Sequence, residues 1–152
     1  MNYLKKLKNC LQAILSKEHN ADSYENRPVK SGEPLARYIF DKRQIDDNNK
    51  AKQGAFSPHS QRRDLSVCRS ENASYEELAH LGQKFVGDVT NRKLLAWAEF
   101  NSDIAVKHKL YLNPDGIPFK RHLNVEQWPS DSSVCLMIKL EMANSCSTTL
   151  VK

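Results

Sequence analysis

The stretch DLSVCRS at residues 64–70 decides the fold class, because its residues alternate between two different sets. Leu65, Val67 and Arg69 would lie on one side of an extended strand, with three smaller residues on the other. A period of two is typical of a half-buried β-strand. Two further segments predict strands and therefore a sheet: LLAWAEF at 94–100, for which a helix is the rival, and KLYLN at 109–113, which ends in the turn NPDG at 113–116. The apolar run LARYIF at 35–40 is expected to begin the compact part of the chain.

Two segments carry the start signals of helices. Ser74 begins the sequence SYEE, a capping box in which a Ser hydroxyl and a Glu carboxylate satisfy each other's free helix-end amides. Gly87 is the predicted end of that helix. Ser130 and Asp131 offer a cap for a mostly apolar helix over residues 132–145. These elements predict an α+β domain with a small, mostly antiparallel sheet and two packed helices.

The first eighteen residues predict an amphipathic helix that precedes this domain. Apolar residues recur at steps of three and four, whereas lysines fill the other side. Polar interruptions argue against a secretory signal, and the apolar side has no Trp or Phe to anchor it on a membrane. We therefore expect an amphipathic helical arm (1–18), a linker (19–32) and a single α+β domain (33–152). The arm could dock on a protein partner, pack on its own domain or form a dimer. The predicted partner contacts are Leu4, Leu7, Leu11, Ile14 and Leu15.

The charge of the chain is unevenly distributed. Its 152 residues carry a formal charge of +5, and the whole positive excess falls in residues 1–70. A basic half is compatible with an acidic partner such as nucleic acid. The chain is 39% hydrophobic and has no long apolar run, so the composition excludes a membrane-spanning, collagenous or wholly disordered protein.

The cysteines do not indicate a metal site, because the four of them include no CxxC pair. Structural zinc needs closely spaced ligands, so we predict no metal and no other cofactor. Cys68 lies in a strand pattern and Cys135 in an apolar helix pattern, where a buried free thiol is expected. Free thiols favour a reducing, cytoplasmic compartment.

The common catalytic motifs are absent, including the P-loop, the nucleophile elbow and HExxH, so the sequence favours a non-catalytic protein over an enzyme. Five residues remain as candidates for chemistry. KRHLN is predicted to be a short loop in which Arg121, His122 and Asn124 combine hydrogen-bond donors with a titratable imidazole. Phosphate binding or acid–base catalysis needs these groups. His59 is the second catalytic candidate, and Arg69 is a further candidate for ligand binding.

These candidates also have a structural interpretation. Arg121 and His122 would bond backbone carbonyls while Trp128 packs over the core. Arg69 lies on an otherwise apolar side of its strand and needs a buried partner, for which the carboxylate of Glu99 is as good a candidate as a ligand.

Five sequence blocks occur in order along residues 35–145: RYIF (37–40), AFxP (55–58), LSVxR (65–69), LG (81–82) and RHxNVxxWP (121–129). In this order they resemble a set of small uncharacterised bacterial proteins. The resemblance implies a bacterial source and a compact domain from about residue 33, and it transfers no activity. Such proteins often come from defence or mobile-element gene clusters, so it also suggests a role there.

The function that these observations predict is that of a small cytosolic accessory protein, which docks on a protein partner and contacts nucleic acid through its basic half. The first alternative is an enzyme or ligand-binding domain for a nucleotide or phosphorylated substrate. It requires Arg69, Arg121 and His122 to converge with His59 in one pocket. The second alternative is direct nucleic-acid binding, which would weaken steeply with added salt.

Deletion of residues 1–18 tests the accessory-protein hypothesis. We expect the truncated chain to stay folded and to lose its partner in a pull-down, because the apolar side of the arm would be gone. An undiminished pull-down would contradict partner binding through the arm.

Overall fold

The protein is built on a six-stranded sheet in which every pair of neighbouring strands is antiparallel. A computed structural model describes residues 27–152. In chain order the strands are β1 (Pro34–Ile39), β2 (Leu65–Arg69), β3 (Ala96–Asn101), β4 (Tyr111–Asn113), β5 (His122–Glu126) and β6 (Ser147–Leu150). They are arranged in the order β4–β5–β2–β1–β3–β6, which confirms the α+β class and the antiparallel sheet.

Three α-helices accompany the sheet in the described residues, one more than the two packed helices predicted. They are α1 (Tyr75–Gly82), α2 (Ser102–Lys107) and α3 (Ser132–Ser145). A π-helical turn, Gln83–Gly87, continues α1, and two 3₁₀ turns lie between β1 and β2, at Lys42–Gln44 and Gln53–Phe56. None of the helices among residues 27–152 is long and apolar enough to cross a membrane.

The alternation predicted for residues 64–70 is present in β2. Leu65 and Val67 are buried in the larger of two hydrophobic clusters, together with Ile138 of α3. Cys68 points to the opposite side and belongs to the smaller cluster, together with Leu78 of α1. We call the side covered by α3 the first face and the side covered by α1 the second face.

The capping box at the start of α1 is half confirmed. The hydroxyl of Ser74 accepts a hydrogen bond of 3.1 Å from the amide of Glu77, as predicted. The carboxylate of Glu77, however, accepts from Nε of Arg121 at 2.8 Å rather than from the helix-end amide. The helical path runs through the π-helical turn to Gly87, where the sequence predicted its end.

The predicted buried thiols are confirmed for Cys68 and only in part for Cys135. Cys68 is fully buried, and burial raises the pKa of its thiol to about 12. Cys135 is half-buried, and its thiol donates to the carbonyl of Pro129. Both thiols are free.

The structure differs from the sequence prediction at three places. β5 replaces the expected loop, because Leu123 and Val125 alternate with polar residues and pair with β2. β6 was not predicted, and its short segment pairs only with β3 at the edge of the sheet. Residues 27–32, assigned to a linker, are bonded into the fold through Arg69 and Asp103.

Gly82 is required where α1 crosses the sheet. A Cβ atom at this position would lie 2.7 Å from the ring carbons Cδ1 and Cε1 of Tyr38 and 2.9 Å from Cδ2 of Leu94. Contacts of this length are repulsive, so the absence of a side chain lets α1 approach the second face closely.

Gly82→Ala is therefore expected to destabilise the protein by about 1–3 kcal/mol, despite the better helix propensity of alanine. The measurement is the free energy of unfolding in urea. Gly54→Ala is the matched control, because a Cβ at Gly54 would meet nothing within 4 Å. If the two variants unfolded at the same urea concentration, the close approach of α1 would not matter for stability.

Candidate functional site

A cavity of about 250 Å³ lies where the two central strands of the sheet separate. Backbone pairing between β1 and β2 extends only over Leu35–Arg69 and Ala36–Cys68. Arg37, the next residue of β1, occupies the gap. Its Nη1 donates to the carbonyl of Ser66 at 2.9 Å, and its Nε donates to the carbonyl of Ala55 at 3.0 Å. A guanidinium therefore bridges two strands whose backbones no longer pair.

Arg37 is a half-buried cation without a carboxylate bonded to it among the described residues. Burial and the nearby charge of Arg92 lower the pKa of Arg37 to about 10, against an opposing effect of Asp64. Because this pKa is still far above neutrality, the group remains charged. Carbonyl oxygens satisfy two of its five N–H donors, and neutral acceptors do not cancel its charge.

A second arginine lines the same cavity. The guanidinium carbon of Arg92 lies 5.0 Å from the centre of the Phe40 ring, in cation–π contact, and its Nε donates to the hydroxyl of Thr90 at 3.0 Å. Arg92 is exposed, so it adds a second, solvent-accessible cation to the lining of the cavity.

Aromatic rings form much of the rest of the wall. The rings of Phe85, in the π-helical turn, and Phe119 lie 5.5 Å apart, and Phe119 meets the imidazole of His122 edge-on at 5.6 Å. The residues that line the cavity include no Asp or Glu. The cavity therefore combines positive charge with π surfaces, which suits a ligand that is both anionic and aromatic.

His122 is held by a carboxylate at the edge of this cavity. Its Nδ1 lies 2.6 Å from Oδ1 of Asp115, and Nδ2 of Asn124 donates to the other oxygen of Asp115 at 3.0 Å. The hydroxyl of Ser66 in turn contacts the Asn124 carbonyl oxygen at 3.4 Å. A carboxylate bonded to one ring nitrogen fixes the orientation of the imidazole, so that the other nitrogen can transfer a proton or contact a ligand.

Arg69 lies elsewhere, in a buried ion pair with Glu33. Their side chains are 0% and 2% exposed, and two hydrogen bonds of 2.6 and 2.9 Å join them. The remaining donors of Arg69 bind the carbonyls of Arg27 and Pro28 at 2.6 and 3.2 Å. The expectation that Arg69 needs a buried partner is thus confirmed, but the partner is Glu33 and not Glu99.

The expected pocket of Arg69, Arg121, His122 and His59 is not formed. Arg69 follows Leu65 and Val67 onto the first face, whereas His122 pairs with Cys68 on the second. These positions correct the arrangement on which the nucleotide-site alternative was based.

The other members of that set have structural contacts. Arg121 donates to the carbonyls of Arg69 and Glu71, as its structural interpretation predicted. His59 is exposed, and its Nδ1 accepts from the amides of Gln61 and Arg62 in a turn. Only His122 of the expected set lines the cavity.

The predicted partner-binding residues Leu4, Leu7, Leu11, Ile14 and Leu15 lie outside the described residues, so their role stays a prediction. Within residues 27–152, no group of three or more His, Cys, Asp or Glu side chains is arranged to hold a metal.

Three residues of the site were missed. Arg37 stands in the apolar run LARYIF, where a charged side chain needs a partner as much as Arg69 does, so the signal was present. Asp115 was interpreted only as part of a turn, and its contact with His122 depends on how that turn folds back over β5. Arg92 follows a polar turn, and nothing in its sequence context connects it with Phe40.

Comparisons with protein-family models, with curated proteins and with solved structures give no match for this chain. The chemistry of the cavity is therefore argued from its own geometry.

The buried pair Arg69–Glu33 makes a prediction about stability. Glu33→Gln should lower the free energy of unfolding by about 3–5 kcal/mol, because it leaves the Arg69 guanidinium buried without a counter-charge. The double variant Glu33→Gln/Arg69→Met should lower the free energy of unfolding by less than the sum of the decreases in the two single variants. Urea unfolding, followed by the fluorescence of the buried Trp97 and Trp128, measures both.

The same pair also determines a pH dependence. Burial alone would raise the pKa of Glu33, but the hydrogen bonds from Arg69 and from the Lys30 amide outweigh it and leave the pKa below 4.5. The pair therefore stabilises the fold above about pH 4.5, and this contribution is lost as the pH falls through the lowered pKa. In Glu33→Gln, the free energy of unfolding should fall less as the pH decreases, whereas the control Glu99→Gln should behave like the unaltered protein. Equal acid profiles for all three proteins would contradict the assignment.

Proposed function

We propose that this protein binds a small phosphorylated aromatic compound, with a nucleoside monophosphate as the representative ligand, in the cavity that Arg37 lines. The supporting observation is the guanidinium of Arg37, which is half-buried, charged and without a bonded carboxylate, in a cavity whose lining has no acidic residue. A buried cation is unfavourable unless an anion compensates it. A phosphate group supplies that anion and can accept two parallel N–H bonds from a guanidinium.

The aromatic part of the ligand is proposed from the rings around the arginines. Phe40, Phe85 and Phe119 line the cavity with aromatic surface against which a base can pack. Arg92 already lies against the Phe40 ring. The volume of about 250 Å³ is slightly below the usual range of roughly 300–1,000 Å³ for ligand pockets. A mononucleotide with part of its surface in solvent fits this size better than a dinucleotide does.

Binding, rather than nucleophilic catalysis, is the activity that the geometry supports. Asp115 orients His122, yet no Ser, Thr or Cys side chain in the described part of the chain is hydrogen-bonded to that imidazole. The arrangement of nucleophile and base that covalent catalysis needs is therefore not supported here. We assign to His122 the role of a ligand contact whose orientation Asp115 fixes.

Calorimetric titration with adenosine monophosphate tests the proposal. Arg37→Met and Arg92→Gln are each expected to weaken binding about tenfold or more, because each removes a charged phosphate donor. Lys107→Gln is the matched control: it removes one positive charge from α2, and Lys107 contacts Glu141 rather than the cavity. Adenosine alone and ribose 5-phosphate alone should each bind more weakly than the whole nucleotide.

Two outcomes would contradict the proposal. One is a nucleotide affinity that is the same in all three variants, with the fold of each confirmed by thermal unfolding. The other is binding of a single-stranded oligonucleotide, in preference to the mononucleotide, whose affinity falls steeply with salt and survives Arg37→Met. The second result would indicate an extended nucleic-acid surface instead of a small-molecule site.

A further inference from the structure

The outer side of α3 is apolar, which is unusual for a helix at a protein surface. Ile138 and Met142 face the core and are fully buried. Four further large side chains of the same helix are 36–55% exposed: Val134, Leu136, Met137 and Leu140. A surface helix normally carries charged residues on its outer side, and a helix that is apolar all round is normally buried all round. We call these four residues the α3 stripe.

Charged residues do not interrupt the α3 stripe. From Ser132 to Leu140 the only charged side chain is Lys139, which is half-buried and donates to the hydroxyl of Ser57. Glu141 follows, and its carboxylate is bonded to Nζ of Lys107 at 2.8 Å and to Nε2 of His108 at 2.6 Å, at the end of α2. The stripe is thus a continuous apolar strip that nothing among residues 27–152 covers.

The described chain begins on the same side of the sheet as α3. Val29 packs against the hydrophobic cluster that contains Ile138. The hydroxyl of Ser31 and the amide of Gly32 donate to Asp103 at the start of α2, at 3.0 and 2.9 Å. Because Glu141 of α3 contacts the other end of α2, the N-terminal segment enters the fold beside the helix that carries the stripe.

We propose that residues 1–18 of this chain dock on the α3 stripe as an amphipathic helix. Their apolar positions, Leu4, Leu7, Leu11, Ile14 and Leu15, recur at helical spacing and would span about 17 Å, which is enough to cover the roughly 9 Å from Val134 to Leu140 along α3. Docking covers both apolar surfaces at once. It leaves the lysines of the arm towards water, where they give this side of the molecule the charged surface that α3 lacks.

The connection is long enough for this contact. Residues 19–26 can span up to about 26–29 Å when extended, which is more than the length of α3. A tether of this length also keeps the arm at an effective concentration of about a millimolar near its own stripe. Intramolecular docking is therefore favoured over contact with a second copy of the chain at ordinary protein concentrations.

Hydrogen–deuterium exchange of the full chain tests the docking. In Leu136→Glu/Leu140→Glu, we expect the amides of residues 1–18 to exchange about tenfold faster than in the unaltered protein, because the apolar contact is lost. Val89→Glu is the matched control, since Val89 is 79% exposed and follows the π-helical turn, away from α3. Unchanged exchange in β1 and β2 shows that the variants remain folded.

A reciprocal variant keeps the test independent of damage to α3. Leu7→Glu/Leu11→Glu should increase binding of an apolar fluorescent dye, and adding Leu136→Glu/Leu140→Glu should remove that increase. The proposal would be overturned if the backbone amides of residues 1–18 exchanged equally fast in the unaltered protein and in all variants. Protection that appears only at concentrations where light scattering shows a dimer would also overturn it, since a second copy would then occupy the stripe.

Discussion

The charge of Arg37 between β1 and β2 is the interaction on which the site depends. Strands β1 and β2 pair over two residues only, and beyond that point the Arg37 guanidinium joins them through the carbonyl of Ser66. The same group also bonds the carbonyl of Ala55 in the 3₁₀ turn. The bridge allows the sheet to separate locally without leaving those carbonyls unpaired. It also places a permanent positive charge at the bottom of the cavity that the separation opens.

Arg69, at the end of β2, differs from Arg37 in how its charge is compensated. Arg69 ends β2 with four hydrogen bonds from its guanidinium, and the carboxylate of Glu33 cancels its charge in the interior. Arg37 has only neutral acceptors bonded to it. A buried ion pair connects distant parts of the chain, but its charges neutralise each other and attract a ligand only weakly. The proposed anion site rests on this difference, because no carboxylate among the described residues is bonded to Arg37.

The sequence predicted those parts of the fold that depend on local chemistry. The period of two in residues 64–70 placed Leu65 and Cys68 on opposite faces, and the hydroxyl of Ser74 caps α1. β5 was predictable by the same rule, because Leu123 and Val125 alternate with polar residues, but the basic residues before it suggested a loop. Contacts between distant residues depend on strand register, and this is why the sequence does not identify Glu33, the first residue of the predicted domain, as the partner of Arg69.

Net charge along the chain was a poor guide to the position of the site. The positive excess lies in residues 1–70, which supply Arg37, whereas Arg92 and His122 come from the nearly neutral part. Within residues 27–70, most basic residues are exposed or paired, as Arg43 is with Asp41 and Arg62 with Asp64. Such exposed pairs contribute little in water. The field inside a cavity depends instead on the few charges that lack a nearby counter-ion and on how little solvent screens them. One half-buried arginine therefore matters more for ligand binding than the excess of the whole basic half.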